Sequence, residues 1–303
     1  MNKRNSVLVV GSVAFDDVET PFGKRDGSLG GSAIFFSIAA SHFTEVRIVG
    51  VAGSDYPQEA IALLEERNID TRGLEIKEGK TFLWGGKYHE DINIRDTLYT
   101  NLNVFAEFKP KIPDKYKTTP FVFLGNIQPS LQLDVLSQMK NPKFIALDTM
   151  NLWINTTKND LMQVLKKVDL LLINDSELSE LTGELNLLKG LKSIHEYGLK
   201  YVVIKKGEHG AFFSGNGSLF YVPAFPIIQP TDPTGAGDSF AGGLIGYLSS
   251  CPEISPSELK KSVIYGSIMG SFCVEHFSIN GLLNLTKDMI NSRYLSLQQM
   301  VTL

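Results

Sequence analysis

Asp232-Pro233-Thr234-Gly235-Ala236-Gly237-Asp238-Ser239-Phe240 is the stretch on which the reading of this chain turns. Pro230 and Pro233 stop any strand before it, and residues 234–237 can form a tight turn. Residues 238–249 then read as a helix, with Phe240, Leu244, Tyr247 and Leu248 on one face. A glycine-rich turn entering a helix aims unpaired amide hydrogens, and the positive end of the helix dipole, at one point. That point suits a phosphoryl group whose negative charge must be stabilised during transfer. Asp238 stands at the same helix end. Aspartate is a common N-cap, and for an isolated Gly-Asp before a helix that reading prevails. Gly242, Gly243 and Gly246 argue for more. Each interior glycine costs about 0.5–1 kcal/mol relative to alanine, so three imply close approach by another backbone or by a ligand. On the phosphoryl-transfer reading, Asp238 accepts the proton of an attacking hydroxyl. The amides of Gly235, Ala236 and Gly237 hold the transferring group.

Upstream of this turn the chain alternates between two patterns. Continuous apolar, β-branched runs at 7–10, 46–51, 121–124, 144–147, 170–173 and 201–204 predict strands buried on both faces. Helical patterns lie between them at 33–43, 58–67, 131–139, 158–167, 177–182 and 187–197. Such alternation predicts an α/β sandwich with a central, mostly parallel sheet, and after Asp238 the pattern is mostly helical. Residues 80–108 depart from it, with strand-like and aromatic segments around Trp84 and Tyr88 and no helical period. Together with residues 19–29 they predict a small β-sheet lid that excludes water from the reaction. An edge of that lid could pair with a second subunit as a homodimer. The whole chain, 1–303, reads as a single domain.

Composition narrows the partners. Of 303 residues, 43% are hydrophobic and 20% charged, and the formal net charge is −4, so nothing favours nucleic acid or an anionic membrane. The apolar run after Ser6 is too short to span a bilayer or to serve as a leader, and Cys251 and Cys273 read as buried thiols; both point to the cytoplasm. The run Gly73–Thr81 nearly spells a phosphate loop, but five residues separate its glycines where four are required. Gly235-x-Gly237 does not follow the first strand, as a dinucleotide fingerprint should. The histidines at 42, 89, 195, 209 and 276 lack ligand spacing for zinc.

The run 232–240 resembles the C-terminal signature of the ribokinase (phosphofructokinase-B, PfkB) family of sugar and nucleoside kinases, and the resemblance extends over nearly the whole chain. It implies a ribokinase-like three-layer fold and transfer of the ATP γ-phosphoryl group to a hydroxyl, with Mg²⁺ bound to the phosphates. Asn174-Asp175-Ser176-Glu177 is similar to the family's Asn-x-x-Glu motif, which helps place Mg²⁺ and phosphate through water. No direct protein ligand to the metal is implied, and Asn174 and Glu177 also suit a helix N-terminus. Gly11-Ser12-x-x-x-Asp16 resembles the loop whose aspartate binds substrate hydroxyls. Lys205-Lys206-Gly207-x-x-Gly210 stands where the family has a strand-end loop beside ATP. Gly30-Gly31 resembles the start of the N-terminal signature, although Phe35 stands where an asparagine usually contacts sugar. Phe35 reads either as core or, with Trp84 and Tyr88, as a wall for a nucleobase. This pattern is closer to the bacterial nucleoside kinases of the family than to ribokinase itself. A free sugar or sugar phosphate is the alternative acceptor, and a non-catalytic sugar- or nucleotide-binding regulator is a further one. For a monovalent cation such as K⁺, Asp232 and Thr234 would be the carbonyl donors.

Overall fold

The computed structural model describes residues 5–301. Strand β1 (Ser6–Val10) is wholly buried. A hairpin of β2 (Ala14–Thr20) and β3 (Gly23–Gly30) leads into helix α1 (Ser32–Ser41), strand β4 (Glu45–Gly53), helix α2 (Gln58–Glu66) and strand β5 (Ile69–Lys77). A second hairpin, β6 (Phe82–Tyr88) and β7 (Arg95–Asn101), ends in a 3-10 turn at Asn103–Glu107. Alternation resumes with β8 (Phe121–Leu124), α3 (Pro129–Gln138), β9 (Phe144–Asp148), α4 (Asn151–Thr156) and α5 (Lys158–Leu165). Next come β10 (Leu170–Asn174), α6 (Asp175–Thr182), α7 (Leu187–Glu196), β11 (Tyr201–Lys205), β12 (Ala211–Gly215) and β13 (Ser218–Val222). Four helices close the chain: α8 (Ala236–Ser250), α9 (Pro256–Cys273), α10 (Asn280–Leu283) and α11 (Lys287–Val301).

Nine strands form one sheet in the order β13-β12-β11-β10-β9-β8-β1-β4-β5. From β11 to β5 all neighbours are parallel, and only the β11–β12 and β12–β13 pairings at one edge are antiparallel. The period-2 geometry of a strand sends alternate side chains to opposite faces. Val7 and Val9 accordingly join a core with α1, α8 and α9, while Leu8 and Val10 join a second core with α3, α5, α6 and α7. These are the three layers the alternation predicts. Strand order reverses at β1, which lies between β8 and β4. Open α/β sheets bind ligands at such a point, beyond the strand C-termini.

A second sheet, in the order β3-β2-β6-β7, forms the lid. Its two hairpins are antiparallel, but β2 and β6 pair in parallel at the centre. The sheet is therefore mixed, because its central strands come from different hairpins. No helix of the described residues is long and apolar enough to cross a membrane.

The structure also explains the glycines of α8. A Cβ at Gly242 would lie 2.5 Å from Phe36 O, and one at Gly246 would lie 2.9 Å from the Ala40 Cα, both on α1. A Cβ at Gly243 would lie 2.6 Å from Tyr265 O on α9. The close neighbours are two helix backbones and not a ligand. Their presence carries no weight for chemistry at Asp238, which has to be argued from the site itself.

Candidate active site

Helix α8 begins at Ala236, two residues earlier than the sequence places it, with Gly235 as N-cap. Gly235 has φ +75, in the left-handed region that glycine enters without steric cost. A Cβ there would fall on the Phe35 ring, and Phe35 is 1% exposed. Phe35 is therefore the packed floor beneath the turn and not a substrate contact, which decides between the two readings given to it. Buried Asp232 fixes the turn from the other side. Its Oδ1 accepts the Thr234 N–H at 2.8 Å and its Oδ2 the Ser278 N–H at 3.2 Å. The Ala236 N–H donates to Pro233 O at 3.2 Å. Among the described residues the Gly235 and Gly237 amides have no partner within the chain. Two of the three proposed amides thus remain available at the helix end.

Asp238 lies in the first turn of α8 and makes no capping hydrogen bond. The N-cap position belongs to Gly235, so the bland reading of this aspartate fails. Protein surrounds the carboxyl group, although part of the residue stays open to solvent. Burial and the nearby Asp148 carboxylate push its pKa up to about 7, while Lys205 and its own backbone amide pull the other way. Asp16 faces the same space from β2, where the ladder slips between Asp16 and Val18. Burial, with the charges of Asp232 and Asp238, raises its pKa to about 8. A Cβ at Gly30 would overlap the Asp16 carboxylate, so Gly30 is what gives this side chain its place. Gly31 caps α1 with φ +91. Its neighbour Ser32 exchanges backbone-to-hydroxyl hydrogen bonds with Ser12 at 3.0 and 3.1 Å.

Asn174 and Glu177 form a complete capping box at the start of α6: the Asn174 side chain accepts the Glu177 N–H, and Glu177 Oε2 accepts the Asn174 N–H. Their structural reading is satisfied in full. Even so, burial raises the Glu177 pKa to about 7, against the pull of Lys205 and with a smaller push from Asp148. Lys205, at the end of β11, stands between these groups. Its Nζ is 2.9 Å from Asp148 Oδ2, and a Cβ at Gly237 would lie 3.1 Å from that Nζ. Burial opposes the lysine charge, but the carboxylates of Asp148, Glu177 and Asp238 outweigh it and raise the pKa. Gly207 and Gly210 shape the loop that follows. Gly210 has φ +85 and abuts the backbone of Val222 and Ala224, and its N–H donates to Gly207 O at 3.1 Å.

The lid reaches both sides of this cluster. Tyr88, at the end of β6, places its hydroxyl 3.1 Å from Thr234 Oγ1 on the glycine turn. Asn93 in the β6–β7 turn faces Gly207. Arg95 stacks over Trp84, 5.0 Å from its ring centre. On the lid, Tyr99 donates to Asp17 at 2.5 Å.

The structure thus brings together Asp16, Gly30, Gly235, Gly237, Asp238, Lys205 and Glu177, and sends Phe35 to the core. Asp148 and Tyr88's contact with Thr234 were missed. A carboxylate ending the apolar run 144–147 was the available signal for Asp148, since the C-terminal end of a buried parallel strand is where functional side chains emerge. The contact of Tyr88 left no local signal. Among the described residues no group of three His, Cys, Asp or Glu side chains could hold a metal ion.

Solved structures with this architecture span nearly the whole chain. The nucleoside kinase of Burkholderia thailandensis, in complex with inosine, is 17% identical, with TM-score 0.79 over 96% of this chain and 97% of that one. Aminoimidazole riboside kinase from Salmonella enterica, complexed with aminoimidazole riboside and an ATP analogue, is 17% identical, with TM-score 0.75 over 95% and 99%. The fold is the ribokinase-like α/β sandwich. The profile of the pfkB family carbohydrate kinases matches residues 15–284, and the chain belongs to that family. It is accordingly a phosphotransferase with an alcohol group as acceptor. The cytidine kinase of Thermococcus kodakarensis is 30% identical over 258 residues, which are 81% of this chain and 90% of that protein.

Proposed function

We propose that this protein transfers the γ-phosphoryl group of ATP to a hydroxyl of a nucleoside, with Asp238 as general base. The observation that carries the reading is the placement of the Asp238 carboxyl beside two unpartnered amides and the Lys205 ammonium, with Asp16 facing the same space. Asp16 orients the acceptor by accepting from its hydroxyls. As the acceptor oxygen bonds to the γ-phosphorus, its proton passes to Asp238 and the bond to the bridging oxygen breaks, releasing ADP. The Gly235 and Gly237 amides and the α8 dipole stabilise the charge on the transferring group. A base with pKa about 7 is matched to neutral operating pH.

Magnesium suits the site when carried on the ATP phosphates and not held by side chains directly, because the charges of Asp148, Glu177 and Asp238 all act on the single lysine, Lys205. Bound to the ATP phosphates, it would offset their charge, with Asn174 and Glu177 in its outer shell. For potassium, the Asp232 and Thr234 carbonyls of the loop would be the donors. The Thr234 carbonyl also accepts from the Cys273 thiol at 3.4 Å, which leaves one of its lone pairs for a cation.

The nucleoside acceptor is supported by the likeness to a cytidine kinase and by the Trp84–Arg95 pair on the lid, a flat surface suited to a base. ADP release with ATP and Mg²⁺ should be compared across adenosine, inosine, cytidine, ribose, fructose and fructose phosphates. A nucleoside is expected to give the highest kcat/KM. A preference for a free sugar or sugar phosphate overturns the acceptor but keeps the chemistry.

A further inference from the structure

Asp148 belongs to no motif considered in the sequence, yet it lies at the centre of the site's charge. It ends β9 and is 5% exposed. Both oxygens face the Lys205 Nζ, at 3.2 and 2.9 Å, across the end of the intervening strand β10. Its Oδ1 also accepts the Thr149 N–H at 2.9 Å. A buried ion pair is a poor device for stability, because desolvation cancels most of the attraction. Two apolar side chains would lock β9 to β11 as well. What an ion pair adds is a charge held in one place, and here that place adjoins Gly237.

We propose that Asp148 is a positioning residue: it holds the Lys205 ammonium beside the glycine turn and yields it to the phosphoryl oxygens when the nucleotide binds. Lys205 has three donors and a flexible stem, so it can keep one carboxylate oxygen while turning another N–H to phosphate. Glu177 on α6 is near enough to add to the charge that holds the lysine, and Gly237 at the start of α8 lies against its Nζ. The inference rests on the proposed ATP-dependent transfer.

The charged groups facing Asp238 are Asp148 from β9, Lys205 from β11 and Asp16 from β2, and the Cys273 thiol of α9, held neutral by burial, completes the ring. Removing the Asp148 charge should therefore make Asp238 easier to deprotonate. In Asp148→Asn, kcat is expected to fall about 100-fold, the cost of a misplaced catalytic charge, with KM for ATP changed less than about threefold. The acid limb of kcat/KM should move to lower pH by about a unit. If Asp148 acts through Lys205, adding Asp148→Asn to Lys205→Met should cost no more than about twofold beyond Lys205→Met alone. This uncharged pair also supplies a variant with no unpaired buried lysine, should the single variant fold poorly. A purely structural pair would lower the melting temperature and shift the acid limb through the lost charge alone, leaving kcat of the folded enzyme on its pH plateau within about twofold of wild type. That result, or full additivity in the double variant, overturns the inference. Asp238→Asn serves as the separate control: if it keeps turnover, the parent reading fails whatever Asp148 does.

Discussion

At the scale of single residues, the site is a compromise between a carboxyl that must lose its proton and surroundings that resist the charge. Asp238, with its pKa near 7, should give kcat/KM that rises with pH through that value and levels off above it. In Asp238→Asn the rise should vanish, with turnover down by about 10²–10⁴ and ATP binding retained; a variant with near-normal kcat overturns the base assignment. Phe35 makes a different point. The sequence showed an aromatic where the family usually has asparagine, and the reading stayed divided between core and substrate wall. Local sequence cannot report that a turn two hundred residues away needs a floor. Because Phe35 is 1% exposed beneath Gly235, Phe35→Asn should destabilise the fold by about 3–5 kcal/mol. Calorimetry checks this. A variant that stays fully stable and gains activity on free sugar would restore the substrate-wall reading.

At the scale of elements, legibility followed periodicity. The buried parallel strands were visible because a strand covered on both faces is apolar throughout. Edge strands lack that signature: β5 carries Asp70, Arg72 and Glu75, and the sequence offered its glycine only as part of a failed phosphate loop, not as strand. The β12–β13 hairpin was missed although Asn216 and Gly217 have φ of +52 and +72, the turn chemistry that joins such strands. The lid was legible as β structure, but not its parallel central pair, since pairing between distant hairpins leaves no mark on either. Nor could sequence show that the lid touches the glycine turn through Tyr88 and Thr234. Tyr88→Phe removes that hydroxyl and little else, a loss worth about 0.5–1.5 kcal/mol. It should lower kcat/KM about tenfold if the contact closes the lid over the transferring group. Unchanged kinetics with an unchanged melting temperature would reduce the contact to an incidental one.

For the whole molecule, assembling the site has a thermodynamic signature. Asp16, Asp238 and Glu177 all have folded pKa values raised far above their ordinary ones, to about 8, 7 and 7. Between about pH 4 and 8 the native chain therefore holds more protons than the unfolded chain, and stability must fall as pH rises through that window. His42, whose pKa burial lowers, opposes this trend below its ordinary value near 6.5, but it is one group against three; the lowered carboxylates act at more acid pH. Asp70 is held well below the usual carboxylate range by Arg72, and Glu258 is lowered to about 2 by Lys261 and Tyr247, so their contributions are lost only on further acidification. Lys205, raised above an already high value, stays charged throughout. Without ligand, the protein should melt at a higher temperature at pH 5.5 than at pH 8. Asp16→Asn should raise the melting temperature most at pH 8, less at pH 5.5 and little at pH 4, because the amide mimics the protonated carboxyl. That variant should also lose acceptor binding, so the same side chain trades stability for function. A wild-type melting temperature that is flat or rising from pH 5.5 to 8, or an Asp16→Asn variant less stable at pH 8, would show that these carboxyls are better solvated than their burial implies.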